Sequence, residues 1–267
     1  MLPVTAVARS FAGGREHNED LVAIERAAEG ACLVLSDGAG GHADGAIAAR
    51  TAVEKILDGY RARPPADPAD LAELLLDAHE AVLAAQRERA SAQPMHATIV
   101  VLAIDHRRDS ALWGHVGDSR LYVLRGGRIV GVTRDDSVVQ SMVDSGYLAP
   151  EQARVHPGKN RLLAALGVDI ELKPTVCAQP LAIANGDAFL LCSDGWWEGV
   201  DNEAIEAALA QSLSVQDWVD AMAEQVAYAV TADRDNYSAI GCWVGHAGTT
   251  GRDRRRSDGR NRAGALR

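Results

Sequence analysis

The chain has 267 residues, 47% hydrophobic and 24% charged, an ordinary globular composition with enough length to bury a sizeable core. Its formal net charge is −10, but seven arginines and two aspartates fall within Gly248–Arg267, so that stretch carries +5 and the remainder −15. An acidic main body argues against nucleic-acid binding, no apolar run reaches the ~18 residues of a membrane helix, and the N-terminal "MLPVTAVARSFAGG" lacks the basic and apolar regions of a secretion leader, so a cytoplasmic location without a membrane span is expected.

In chain order, "CLVLSDGAGGHADG" (Cys32–Gly45) reads as an apolar strand that stops on Asp37, with four glycines and a histidine behind it. Two amphipathic helices follow. "ADGAIAARTAVEKILDGYRAR" carries Ile47, Ala48, Val53, Ile56 and Leu57, with Asp44 as its expected N-cap; after the break "RPPADP", "ADLAELLLDAHEAVLAAQRERA" lines up Leu71, Leu74, Leu75, Ala78, Val82 and Ala85. From Ala97 to Thr133 short β-rich runs ("ATIVVLAID", "SALWGHVG", "SRLYVLR", "RIVGVT") predict an antiparallel meander. A further helical pair is predicted between Ser137 and Leu166, then strands in "KPTVCAQPL" and "DAFLLCS", helices from about Asn202 to Val230, and a last strand in "SAIGCWVG". Helices grouped between runs of strands favour an α+β sandwich of packed antiparallel sheets with helices outside, over alternating βαβ units. One domain to about residue 246 is expected, followed by a basic tail, 247–267, whose low apolar content predicts disorder. The tail could be an arm for an acidic partner or a solvated terminus.

Cys32, Cys177, Cys192 and Cys242 each sit in an apolar run without a CxxC pair, and are expected to be reduced core residues. Four aspartates instead flank strand-like runs: Asp37 in "LSDG", Asp118 in "VGDSR", Asp194 in "CSDG" and Asp235 in "DRDNYSAI", with Glu19 and Asp20 in "REHNED". Carboxylates gathered at one sheet edge repel strongly near a protein interior, and cations relieve that repulsion. Carboxylate, carbonyl and water ligands suit magnesium or manganese; the eight histidines lack HxxxH or HxxEH spacing for zinc, and the acids are too scattered for a calcium-binding EF-hand.

These residues, in order ("REHNED", "VLSDGAGGH", "ATIVV", "GHVGDSRLYVL", "TRDDSVVQSMVDSGYLAPEQARVHPGKNRLLAALG", "LLCSDGWWEGV", "DRDNYSAI"), strongly resemble the metal-dependent protein phosphatases of type 2C in their compact bacterial form, over about Arg15 to Val244. The resemblance implies two packed antiparallel sheets flanked by helices, and hydrolysis of phosphoserine and phosphothreonine by a metal-bridging hydroxide, with no protein nucleophile. It implies that Asp37 bridges two Mn2+ or Mg2+ ions, that the Gly38 carbonyl, Asp194 and Asp235 complete their protein ligands, and that Asp118 helps hold a third, weaker ion. It assigns Asp20 to orienting metal-bound water, with Glu19 its neighbour in the same shell, and Arg15 to the substrate phosphate. The implied partners are a phosphoprotein substrate and a eukaryotic-like Ser/Thr kinase that the enzyme opposes; the chain is expected to act as a monomer. A non-catalytic relative would be expected to have lost one of these carboxylates, and a nuclease would need a basic groove. Ala39 stands where many eukaryotic relatives carry a histidine proposed as general acid, which leaves that role to His42, a metal-bound water or no group. Residues 133–167 match the family's flap beside the active site, or form a surface helical hairpin; Trp196 and Trp197 are expected to pack in the core, and His115 and His156 to be packing or flap residues.

Overall fold

Every residue of Gly30–Ser36 is buried, and the alternation of its side chains explains the unbroken apolar run: Cys32 and Val34 face one apolar cluster, Ala31, Leu33 and Leu35 another. A strand covered on both faces needs apolar residues at both parities. This strand occupies the inner position of a sandwich in a computed structural model that describes residues 2–39, 43–89, 94–153, 155–169, 171–228 and 234–245. The elements, in order, are β1 (Val4–Phe11), β2 (Leu21–Ala27), β3 (Gly30–Ser36), β4 (Gly38–Ala39), α1 (Ala43–Ala62), α2 (Pro68–Arg89), β5 (His96–Ala97), β6 (Ile99–Asp105), β7 (Ser110–Val116), β8 (Arg120–Arg125), β9 (Arg128–Val132), α3 (Val138–Asp144), α4 (Pro150–Ala153), β10 (Thr175–Val176), β11 (Leu181–Ala182), β12 (Ala188–Cys192), α5 (Asp194–Trp197), α6 (Asn202–Gln211), α7 (Val215–Tyr228) and β13 (Tyr237–Val244).

Among the described residues, one sheet has the order β1-β13-β12-β8-β9 and the other β10-β7-β6-β3-β2, with β11 also on β7; all pairs are antiparallel. Leu33, Leu102, Phe189, Leu191 and Ile240 fill the space between the sheets. Helices α1 and α2 cover the outer face of the second sheet through Ile56, Leu71, Leu75 and Val82, whereas α6 and α7 cover the first through Ile205, Trp218, Val219 and Met222. Each such side chain taken fully out of water contributes about 1.5–3 kcal/mol. The sandwich is therefore helix, sheet, sheet, helix, as expected, and the four cysteines are unpaired and buried in its cores.

Four details differ from the sequence reading. Val4–Phe11, not assigned there, is an edge strand paired along its whole length with β13. The expected meander is split: β6 and β7 lie in one sheet, β8 and β9 in the other, so the Gly117–Ser119 link crosses between sheets. Asp44 stands in the first turn of α1, paired with Arg89 at 3.2 Å, instead of capping from outside. The 137–166 segment holds one two-turn helix and one single turn, followed by turns around Pro157–Gly158. His42 and the tail 247–267 lie outside the described residues. No described helix is long and apolar enough to cross a membrane.

Candidate functional site

The strand registers put the acidic residues at one rim of the sandwich. Asp37 follows β3, Asp118 follows β7, Asp194 follows β12 and Asp235 precedes β13; the pairs Leu21↔Ser36, Ile99↔Val116, Cys192↔Ala239 and Phe11↔Tyr237 show that these strand ends are neighbours. They line a cleft of about 360 Å³ with Arg15, Glu19, Gly38, Thr98, Asn160 and Asn236. A larger cavity, about 820 Å³, lies around the β2–β3 and β6–β7 turns at the other end, where Arg107 pairs with Glu29 and Arg108 with Asp105. Of these two, the smaller cleft gathers the strand-end aspartates Asp37, Asp118, Asp194 and Asp235.

The electrostatics are those of a site short of positive charge. Burial pushes the Asp37 carboxyl well above the usual carboxylate range, and Asp20, Asp194, Asp118 and Asp235 push it further. Asp194 is raised by the same causes, burial first and then Asp118 and Asp235. Asp118 is pushed up to about 7 by burial and Asp135, and Asp20 to about 6 by burial, against hydrogen bonds that favour its ionised form. Asp194 Oδ1 and Asp20 Oδ1 are buried without a hydrogen-bond partner. A buried carboxylate oxygen with no donor is costly unless something positive faces it. All the available donors are hard oxygens, a set that fits Mg2+ or Mn2+. Among the described residues no three His, Cys, Asp or Glu side chains close round a single point. They are spread along a cleft, the arrangement for cations that keep several waters and take few protein ligands.

Backbone packing sets the position of Asp37. A Cβ on Gly38 would lie 2.2 Å from the Gly45 carbonyl oxygen, and one on Gly45 would lie 2.1 Å from Glu19 Oε2. Gly38 and Gly45 thus let the start of α1 press against the turn that carries Asp37. Thr98 holds this turn from the other side: its N–H donates to the Asp37 carbonyl (2.8 Å), and its hydroxyl accepts from the Asp37 N–H (3.2 Å) and pairs with the Ser119 hydroxyl (2.7 Å). Asp20 is held by the Ser193 hydroxyl at 2.9 Å, which also accepts the Ser238 N–H at 3.0 Å.

The cleft brings Arg15, Glu19, Asp37, Gly38, Asp118, Asp194 and Asp235 together, with Asp20 buried beneath. Arg15 is exposed, and its Nη2 donates to Asp235 Oδ2 at 2.9 Å. Trp196 is fully buried in the core, as expected, but Trp197 is only half-buried and donates from Nε1 to the Asp118 carbonyl at 3.0 Å. His115 is buried; His156 accepts the Gly158 N–H in the segment beside the cleft. Sequence reading missed Thr98, Ser193, Asn236 and the cleft-lining His17; for Ser193, Asn236 and His17 the signal was adjacency to the acidic residues, whereas Thr98 lies next to none. Asn236 is the most connected: its Oδ1 accepts the Glu19 N–H (2.8 Å) and its Nδ2 donates to the Ala12 and His17 carbonyls (2.9 Å each).

The comparisons agree with this geometry. The chain is 34% identical over 196 residues to the serine/threonine protein phosphatase PstP of Mycobacterium tuberculosis, covering 73% of this chain and 36% of that protein, so it spans about a third of that relative's length. It is 30% identical over 213 residues to the serine/threonine phosphatase stp of Listeria innocua, covering 77% and 82%. The crystal structure of the PstP catalytic domain in complex with two manganese ions superimposes with a TM-score of 0.78 at 29% identity, over 92% of this chain and all of that one. A strand-end aspartate cluster on a helix-flanked double sheet, these likenesses, and a match of residues 9–232 to the model of protein phosphatase 2C lead to one conclusion: the chain belongs to the protein phosphatase 2C family.

Proposed function

We propose that this chain is a metal-dependent phosphoprotein phosphatase that hydrolyses phosphoserine and phosphothreonine. The observation that carries the reading is the acidic rim itself: Asp37, Asp118, Asp194 and Asp235 converge on one cleft, burial and mutual repulsion raise the carboxyls of the first three, and a buried Asp194 oxygen has no donor. In this reading Asp37, the Gly38 carbonyl, Asp194 and Asp235 hold two Mn2+ or Mg2+ ions, and Asp118 contributes to a third. When bound, such ions supply a nucleophilic water at neutral pH and neutralise phosphoryl charge.

The chain's own residues do the rest. Asp20, anchored by Ser193, and Glu19, whose N–H is held by Asn236, orient water at the cleft floor. Arg15 presents a planar fork to two phosphate oxygens. Its bond to Asp235 is an exposed ion pair, worth at most ~1 kcal/mol, and exchanges readily for a dianion. None of the four buried cysteines is among the residues lining the cleft, which supports water over a thiol nucleophile. The reading includes residues 1–246 as the phosphatase domain, a basic tail beyond it, cytoplasmic action as a monomer, and a phosphoprotein partner whose phosphates come from a Ser/Thr kinase.

The test is phosphate release from a phosphothreonine peptide by protein stripped of metal, with and without added manganese. Activity is expected only with the cation. Full turnover after exhaustive chelation, or none with manganese present, would overturn the reading.

A further inference from the structure

The second tryptophan of "SDGWW" has no part in the reading above, yet it touches Asp118. We propose that Trp197 and Arg120 form a positioning clamp that fixes the Asp118 backbone in the cleft and ties it to the root of the 137–166 segment. The inference rests on Asp118 acting as proposed.

Three contacts define the clamp. Trp197 Nε1 donates to the Asp118 carbonyl at 3.0 Å. The Arg120 guanidinium carbon lies 3.6 Å from the Trp197 ring centroid, so the cation covers the face of the indole. The same guanidinium forks onto Asp135 through Nε (2.8 Å) and Nη2 (2.7 Å), with Nη1 at 3.4 Å from the Tyr122 hydroxyl. Asp135 stands two residues before the cap of α3, so its carboxylate connects Arg120 to the start of that segment.

The clamp acts where the backbone most needs it. Gly117–Ser119 crosses between the two sheets, and Gly117 has φ of +99°, a conformation side chains other than glycine rarely adopt. Asp136 brackets Gly117, accepting its N–H at 3.0 Å and donating to its carbonyl at 2.9 Å. Ser119 is held through Thr98. Between these anchors Asp118 has the Trp197 bond on its carbonyl. Trp196, fully buried, anchors α5 in the core, so its neighbour projects from a rigid base.

Trp197→Phe keeps the ring and removes the donor; Arg120→Lys keeps the charge and removes the fork and the planar stack. For Trp197→Phe, kcat on a phosphothreonine peptide is expected to fall ~3–30-fold, with KM within about twofold and the melting temperature lowered by no more than about 4 °C, the scale of one lost hydrogen bond. In a direct manganese-binding titration the weakest component should shift to higher concentration while the tightest stays put. Arg120→Lys should show the same pattern, and the double variant should lose less than the product of the single effects. Asp118→Asn separates the two readings. If Asp118→Asn impairs turnover and weak manganese binding but neither clamp variant does, the clamp is wrong and the role of Asp118 stands. If Asp118→Asn itself matches the parent, both fall. A clamp variant that loses melting temperature while kcat and the titration are unchanged shows a purely structural role and also overturns the proposal.

Discussion

Asn236→Ala should uncouple the Arg15 loop from the sandwich. The residue is 5% exposed, and its amide makes three hydrogen bonds, one to the Glu19 N–H and two to the Ala12 and His17 carbonyls. The loop between them lies on residues 234–236: Gly14 N–H donates to the Arg234 carbonyl at 2.9 Å, and a Cβ on Gly13 would fall 2.2 Å from the Asp235 carbonyl oxygen. At about 1 kcal/mol per bond, with the loop carbonyls partly recovered by water, truncation should cost about 2–4 kcal/mol. Urea unfolding of the metal-free protein measures it; the midpoint should fall without a change in slope. Activity should fall too, because Arg15 rides on the released loop, and the loss in kcat/KM should overlap with that of Arg15→Ala in the double variant. A stability loss under about 1 kcal/mol, or strictly multiplicative kinetic effects, would refute the argument that this amide holds the loop.

Arg15→Lys keeps the charge but not the fork, so kcat/KM should fall on the order of 10-fold and Arg15→Ala up to ~10³-fold, with manganese affinity unchanged; an Arg15→Ala variant as active as the parent leaves only the ion pair to Asp235. Gly38→Ala should destabilise the metal-free protein by about 1–3 kcal/mol in urea, because its Cβ meets backbone of Gly45 at 2.2 Å; an unchanged midpoint would show that α1 can shift. Burial lowers the pKa of His115, opposed by Asp136 and Asp135. A depressed folded-state value means that the unfolded chain takes up the proton first, so this contribution is full above pH ~6.5 and is lost as pH falls below it. The stability advantage of the parent over His115→Leu should therefore shrink from pH 7.5 to 5.5, and a constant difference would contradict the shift.

How much of this was legible in the sequence depends on whether a feature is carried by local pattern or by pairing partners. The aspartates ending apolar runs were readable because the arrangement recurs: one Asp-Gly after a strand is an ordinary turn, but Asp37, Asp118 and Asp194 each follow an apolar run and Asp235 precedes one. The strand Val4–Phe11 was not, because its ladder partner among the described residues is β13, at the far end of the chain. "VGDSR" misled for a physical reason. A short polar link between two β-rich runs reads as a hairpin turn, yet Gly117 at positive φ sends the chain across to the other sheet. The crossing puts Asp118 at the cleft: in a tight hairpin β7 and β8 would have shared a sheet, and the residue between them would have faced solvent. The same crossing leaves its backbone without a ladder partner, and Trp197 fills that gap with a side-chain donor. Residues that position others are hard to find in a sequence because they are chosen by what the backbone lacks locally, and that becomes visible only when the strands are paired.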